Sequence, residues 1–492
     1  YSHQLLFECL ELRPMDESYV PSRAYSKYVL YVLLGIYISN QWARYLINYM
    51  YSISYDGDTD TEAEFVSITY STDLTASEYG LLVGYGFSIM YVLCGLVMGR
   101  AADSGNRRNI IFWGLVIWNS AVVIMGLASS FSQLLISRII LGIGESFSAP
   151  ASYSLIADYF PVEARAEANG VYAFGVYVGG GLGSLAIAIS ESVGWRACCF
   201  IVAAYGFILA AMIITTVKEP ARTQTKSVDT SAAEEKNYTL MESFREIFSS
   251  KLVCILFLAG SVRFMGGYAI ASFLPTYYSY AFSDYSTLYS YLNASVVAFG
   301  GALSSYLGGK FADKWEQSGQ KYARVWVPAL GAIGAVPFMA ICVLAGNFYV
   351  SMAALFFEYL IAECWFGPAI SVLQNALPAR VRGTGIASFT FITTMFGSGT
   401  SYLMGVIYDS LGSTDSSDSS TSSSTSETEP VNLVRWELLI AVAGSYLVAG
   451  YLFYVAASFM ETDAPVAEEK AALLGKTDTA VTEAPSKKKD VV

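Results

Sequence analysis

Six ionisable side chains, Arg44, Arg138, Glu145, Arg263, Glu358 and Glu363, stand inside long runs of apolar residues. An ionised group near the centre of a bilayer costs at least ~2.5–3.5 kcal/mol, so each must face water, a ligand or a partner. Guanidinium groups can hold a carboxylate or phosphate through paired charge-assisted hydrogen bonds. Carboxylates can answer an arginine or carry a proton. Three arginines against three glutamates form a balanced set, suited to a zwitterion or to an anion accompanied by protons. Asn40, Arg44 and Asn48 recur every four residues and share one stripe of a helix. Arg138 and Glu145 lie two turns apart, about 10 Å by helix rise, too far to pair with each other.

The elements that must position these groups follow from composition. Of 492 residues, 54% are hydrophobic and 14% charged, whereas soluble domains carry about 25% charged residues. A bilayer core about 30 Å thick needs roughly 20 apolar residues in a helix. Twelve such runs are present, at 28–50, 79–98, 109–128, 132–156, 168–189, 195–217, 252–281, 287–307, 325–345, 348–372, 384–408 and 436–459. They are numbered helices 1 to 12 below. The six charges fall on helices 1, 4, 7 and 10, every third one, which a random scatter would not select. A bundle in which those four helices line a central wet cavity predicts this placement.

Basic residues set the direction. With a cytosolic N-terminus the inner loops hold Arg100, Arg107, Arg108, Arg165, Lys310, Lys314, Arg380 and Arg382, together with a basic 218–251 segment, while the outer loops hold only Arg196 and Arg435. Both termini are therefore expected in the cytosol. The sequons at Asn237 and Asn293 then fall in an inner loop and inside a helix, where no glycan is expected.

The chain also repeats itself. Gly99-Arg-Ala-Ala-Asp103 after helix 2 returns as Gly309-Lys-Phe-Ala-Asp313 after helix 8, 210 residues later. Pro161-Val-Glu-Ala-Arg165 after helix 4 returns as Pro378-Ala-Arg-Val-Arg382 after helix 10, 217 residues later. Two motifs in the same order at corresponding loops imply a duplicated six-helix unit. The expected organisation is an N-terminal tail (1–27), a six-helix bundle (28–217), a cytosolic linker (218–250), a second bundle (251–459) with a disordered Ser/Thr-rich outer loop at 412–430, and a tail (460–492).

Other classes are excluded. The net charge of −12 argues against nucleic acid as a partner. His3 is the only histidine, which removes a histidine metal site and a Ser/His/Asp hydrolase. The seven cysteines show no disulfide framework, and no nucleophile–base pair is present. No cofactor, metal or cleavable signal peptide is expected.

The segment Gly99-Arg-Ala-Ala-Asp103-Ser-Gly-Asn-Arg107-Arg108 resembles the loop signature of the major facilitator superfamily, with Ser104 and Asn106 in place of the usual basic residues. The resemblance implies an all-α membrane protein of twelve transmembrane helices in two pseudo-symmetric halves, working by alternating access. It also implies that Asp103, Arg107 and Arg108, with their matched partners Asp313, Arg165 and Arg382, gate the inner ends of the halves. Within the superfamily the chain is similar to Spinster-like proteins. Arg138-Ile-Ile-Leu-Gly142-Ile-Gly144-Glu145 with Ile156-Ala-Asp158-Tyr-Phe160, Tyr172-Ala-Phe174 to Gly183, and Glu358 to Trp365 and Pro368 carry that likeness. Tyr177, Cys364 and Ala43 depart from the family pattern. Ala43 stands where the family has an acid, so proton coupling would run through Glu145 or Glu358, or the protein is a facilitator. Arg138 and Glu145 would bind substrate or couple protons, with Glu358 as their C-terminal counterpart, and Arg138→Ala is expected to abolish transport while sparing folding.

Three readings follow. The first is a proton-linked carrier of a lysophospholipid, sphingolipid or similar amphiphile, favoured by Phe356, Phe357, Tyr359, Trp365 and Phe366 on helix 10. The second is a carrier of sugar acids or other polar organic anions, and the third a receptor or scaffold that kept the fold. The protein is expected to be a monomer whose partners are substrate, protons and lipid. Glu469-Lys-Ala-Ala-Leu473-Leu474 resembles an acidic dileucine sorting signal, pointing to endolysosomal membranes, with the plasma membrane as the alternative. Two small-residue ladders, Gly175-Gly179-Gly183 on helix 5 and Gly301-Ser305-Gly309 on helix 8, are expected either to slide against each other across the halves or to pack passively.

Overall fold

A computed structural model describes residues 22–53, 60–220, 240–378, 381–414 and 428–481, and every element among them is a helix. Nine helices are by length and composition able to cross a membrane: helices 2 to 7, 9, 10 and 12. The other three apolar runs also fall on helices, Arg23–Tyr51, Ser286–Gln317 and Arg382–Thr414. These are less apolar because they carry polar residues that the bundle buries, such as Asn40, Gln41 and Asn48 on helix 1 and Thr393, Ser398 and Ser401 on helix 11.

Boundaries moved in four places. Helix 1 starts at Arg23, where the Ser22 side chain accepts from Tyr25 N. The expected linker contains a short helix, Leu240–Ile247. Helix 11 continues to Thr414 and helix 12 runs from Thr428 to Val481, so the Leu473-Leu474 motif sits on helix; residues 415–427 of the expected outer loop lie outside the described residues, as does Asn237. Asn293 is buried and donates to the Tyr49 hydroxyl at 3.0 Å.

Two of the four charge-bearing helices are broken beside their charges. Helix 4 is Phe131–Glu145 followed by Ser148–Tyr159, and helix 10 is Phe348–Ala362 followed by Phe366–Ala376. Interrupted helices expose backbone polar groups and are tolerated in membranes only where protein or water satisfies them. Helix 8 contains a π-helical stretch, Val296–Gly301, at its centre.

The halves meet mainly through three helix pairs: 1 with 7, 2 with 11 and 5 with 8. The residues involved lie toward the end opposite the basic loops: Asn48 Nδ2 donates to Ala271 O, Tyr79 Oη to Ser272 O, and Ser88 bonds Ser398. Buried apolar residues accordingly form two clusters. One joins both halves through residues such as Leu274, Tyr278, Met339 and Val442, and the other is confined to the basic-loop end of the second half, around Leu252, Leu256, Leu373 and Phe453. The bundle is closed at the end away from the basic loops.

The helix 5 ladder does not slide on helix 8. A Cβ at Gly175, Gly179 or Gly183 would meet Tyr37, Ile38 and Gln41, or Tyr45 and Tyr49, all on helix 1. These glycines seat helix 5 on helix 1 within one half. The contact with helix 8 is made one position over, by Gly181 against Ala294.

Candidate functional site

Arg44 on helix 1 pairs with Glu145, the last residue before the break in helix 4. Its Nε donates to Glu145 Oε2 at 2.8 Å, and Nη2 lies 2.7 Å from the same oxygen. Phe87 and Tyr91 of helix 2 place their rings over the guanidinium, 4.7 and 4.5 Å from their centroids. Arg138, two turns before Glu145, makes no ion pair with it. It donates through Nε to Leu82 O at 3.1 Å and through Nη1 to Arg44 O at 3.2 Å, tying helices 1, 2 and 4 together. Asn40 is buried and accepts from Gln41 Nε2 at 2.9 Å.

The second half repeats this arrangement. Arg263 on helix 7 pairs with Glu363, the residue that caps the first segment of helix 10, at 3.1 Å, and also donates to Ala362 O at 3.0 Å. Trp365 and Tyr446 cover its guanidinium at 5.6 and 4.2 Å. Arg263 follows Arg44 by 219 residues and Glu363 follows Glu145 by 218, so the two pairs belong to the internal duplication. The C-terminal counterpart of Glu145, by position and partner, is Glu363. Glu358, assigned that place by resemblance, is instead buried against helix 12, where Tyr446 Oη donates to its Oε1 at 2.7 Å.

Exposure is reversed between the two pairs. In the first the arginine side chain is 19% exposed and the acid fully buried; in the second the arginine is 2% exposed and the acid 27%. The first pair therefore presents a cation and the second an anion. Tyr45 is within electrostatic range of Arg44, Glu145 and Glu363, so both pairs border one space. Glu145 Oε1 and Arg263 Nε are buried without a protein partner, an arrangement that favours a ligand or water at those atoms.

The gating residues stay within their own halves. Arg107 is buried and held by Glu219 at 2.6 Å, by Asp158 at 2.5 Å and by Ser154. Arg108 N donates to Glu219 Oε2 at 3.0 Å. Asp313 accepts from Arg324 at 3.2 Å, Arg165 donates to Phe160 O, and Arg382 to Leu377 O. Asp103 lies in the helix Tyr85–Ser104, and its side chain is outside the described residues. An inner latch between the halves is thus not formed by the described members of this set in this conformation.

Several residues of the site carried no sequence signal. Phe87, Tyr91 and Tyr446 are aromatic residues among many, and Glu219 lies just past an apolar run. Glu437, at the start of helix 12, has both carboxylate oxygens buried without a partner; its place three residues from a basic loop residue made it read as loop charge.

A helical bundle with a duplicated arginine–glutamate pair inside its apolar core is the architecture of a membrane transporter. The family model described as Major Facilitator Superfamily matches residues 33–402, and the chain belongs to that superfamily. A solved bacterial homolog of the human lysosomal transporter Spinster, in an inward-facing and unoccupied conformation, superposes with a TM-score of 0.73 at 22% identity, covering 90% of this chain and 99% of that one. The sphingosine-1-phosphate transporter SPNS2 of Xenopus tropicalis is 23% identical over 66% of this chain and 65% of its own length. The hexuronate transporter of Bacillus subtilis is 24% identical over 79% and 90%. The chain is a transporter of Spinster-like kind, not an enzyme.

Proposed function

We propose that this protein is an alternating-access carrier of a zwitterionic, lipid-like amphiphile such as a lysophospholipid or sphingolipid, coupled to protons, with twelve crossings, two six-helix domains and both termini in the cytosol. The observation that carries this reading is the reversed exposure of the two ion pairs. Arg44 offers its charge to a phosphate or carboxylate and Glu363 offers its charge to an amine, across one space walled by Phe87, Tyr91, Trp365 and Tyr446. Aromatic walls beside two opposite charges suit a molecule with a dipolar head and an apolar body. Asn40, Arg138, Arg263 and Glu358 support this set. With the basic loops cytosolic, the closed end of the bundle is the outer one, and the open state faces inward. The named substrate of the SPNS2 relative is consistent with this reading; the named substrate of the hexuronate relative favours the alternative, a carrier of sugar acids held by Arg44 alone.

The test is uptake by the full chain in proteoliposomes, using radiolabelled lysophosphatidylcholine, a sphingoid phosphate and glucuronate, with and without an imposed pH gradient. Accumulation of the lipids, driven by the gradient and lost in Glu363→Gln, is expected. Uptake of glucuronate alone would replace the lipid reading with the sugar-acid one, and a rate indifferent to the gradient would remove proton coupling.

A further inference from the structure

Two seams close the outer end, and they are copies of each other. At the seam of helices 2 and 11, Asp409 near the end of helix 11 accepts from the backbone of the first two residues of helix 2, Ala76 N to Oδ1 at 3.1 Å and Ser77 N to Oδ2 at 2.8 Å. At the seam of helices 5 and 8, Glu191 near the end of helix 5 accepts from Thr287 Oγ1, in the first turn of helix 8, at 2.6 Å. Asp409 follows Glu191 by 218 residues, and Thr287 follows Ser77 by 210. These are the offsets of the buried acids Glu145 and Glu363 and of the G-x-x-x-D loops. The contacts below each acid repeat as well. A Cβ on Gly80 would meet Ser401 and Tyr402, and the corresponding positions 290 and 184 exchange reciprocal bonds, Ser184 Oγ to Ser290 O at 2.9 Å and Ser290 Oγ to Ser184 O at 2.7 Å.

We infer that Asp409 and Glu191 are a duplicated pair of acid latches that hold the outer gate shut, each carboxylate of one half gripping the start of a helix in the other. This rests on the alternating-access reading. Helix starts carry unsatisfied N–H groups and the positive end of the helix dipole, so a carboxylate there makes strong, directional bonds. Because those bonds cross between the halves, they break when the outer ends part. Charge-assisted bonds of this kind exchange readily for water once separated, which makes them suited to a gate rather than to a permanent seam. The remaining contacts of both seams are small residues and hydroxyls, which close together without interlocking. Asp409 and Glu191 are positioning residues: they set the balance between the two conformations and touch no substrate.

The test uses the full chain with Ser272→Cys, a residue buried under the helix 2–11 seam, whose backbone accepts from Tyr79. Maleimide labelling at position 272 is read by peptide mass spectrometry, which separates it from the native cysteines and needs no substrate. Asp409→Ala and Glu191→Ala are each expected to raise the labelling rate about tenfold, equivalent to about 1.4 kcal/mol in the gate equilibrium. Asp409→Asn, keeping one acceptor, should fall between Asp409→Ala and the parent. The double Ala variant should exceed both singles. Parental labelling in both single variants, each folded by gel filtration, would overturn the latch assignment while leaving the transport reading intact. If the double variant fails to fold, the singles decide alone.

Discussion

Arg44 reaches only one oxygen of Glu145: Oε2 takes both guanidinium contacts, at 2.8 and 2.7 Å, while Oε1 is equally buried and has no protein partner. A half-satisfied buried carboxylate is costly unless something completes it. In a transporter the completing group is one that comes and goes, a proton or a substrate donor. The same asymmetry recurs in the other half, where Arg263 Nε is the unpartnered atom. One half thus lacks a donor and the other an acceptor, as a site for a dipolar head group requires.

Glu145→Ala should separate stability from transport. It leaves Arg44 partly buried without a counter-charge, and breaking a buried pair from one side costs about 3–5 kcal/mol. The expected outcome is a fall in melting temperature together with loss of uptake. Replacing both members, Arg44→Leu with Glu145→Leu, should recover most of the melting temperature and none of the uptake. Normal stability in the single variant would show that the pair is dispensable to the fold.

Arg138→Ala is expected to destabilise the protein, contrary to what its place in the sequence motif suggests. Its guanidinium is 1% exposed and its bonds go to two backbone carbonyls, those of Leu82 and Arg44. Unsatisfied buried polar groups cost about 1–3 kcal/mol each. A drop in melting temperature and in membrane yield should accompany loss of transport, and Arg138→Lys should restore part of both. A variant that melts like the parent would return Arg138 to a purely substrate-facing role.

The sequence made much of this legible because charge in hydrocarbon is expensive. That rule alone picked out Arg44, Glu145, Arg263 and Glu363, and both pairs form. It could not say who pairs with whom, since helix 4 offers Arg138 and Glu145 two turns apart and only packing decides that helix 1 brings Arg44 to the acid. The same limit misplaced Glu358: both glutamates of helix 10 are buried in an apolar run, and the break after Ala362 gives Glu363 the arginine. The aromatic lids were invisible, because Tyr91 and Tyr446 do not differ in sequence from tyrosines that face lipid. The loop motifs located the duplication correctly, yet Arg107 serves its own half, since Glu219, past the end of helix 6, lies nearer than the other domain.

Tyr446→Phe and Glu358→Gln should have opposite effects. The first removes the donor to Glu358 Oε1 and leaves the acid buried without it, with an expected loss of about 1–3 kcal/mol. The second keeps an acceptor for the tyrosine and removes a buried charge, so the melting temperature should hold or rise. If Glu358 carries the coupled proton, Glu358→Gln should take up substrate down its gradient and no longer respond to an imposed pH difference. A gradient response equal to the parent's would assign coupling to Glu145.

Arg107→Lys should weaken the first half without shifting the gate. A lysine cannot reproduce the fork that reaches Glu219, Asp158 and Ser154 together. The melting temperature should fall, while labelling at Ser272→Cys stays at the parental rate. A change in that labelling would mean that the pair with Glu219 feels the conformation of the whole bundle.

Gly80→Val should jam the outer gate open. In the closed seam an added side chain at Gly80 would run into the backbone of helix 11 at Ser401 and at Tyr402, whose Cα lies 3.0 Å from the new Cβ. Backbone cannot swing aside as a side chain can, so the halves must stay apart at that end. The outward-open state has no such conflict, and the protein should therefore fold, label rapidly at Ser272→Cys and fail to complete a transport cycle. Gly444→Val, where an added Cβ meets nothing within 4 Å, should leave labelling and uptake as they are. If Gly80→Val transported normally, helices 2 and 11 would not need this contact to close, and the outer seam would have to shut elsewhere.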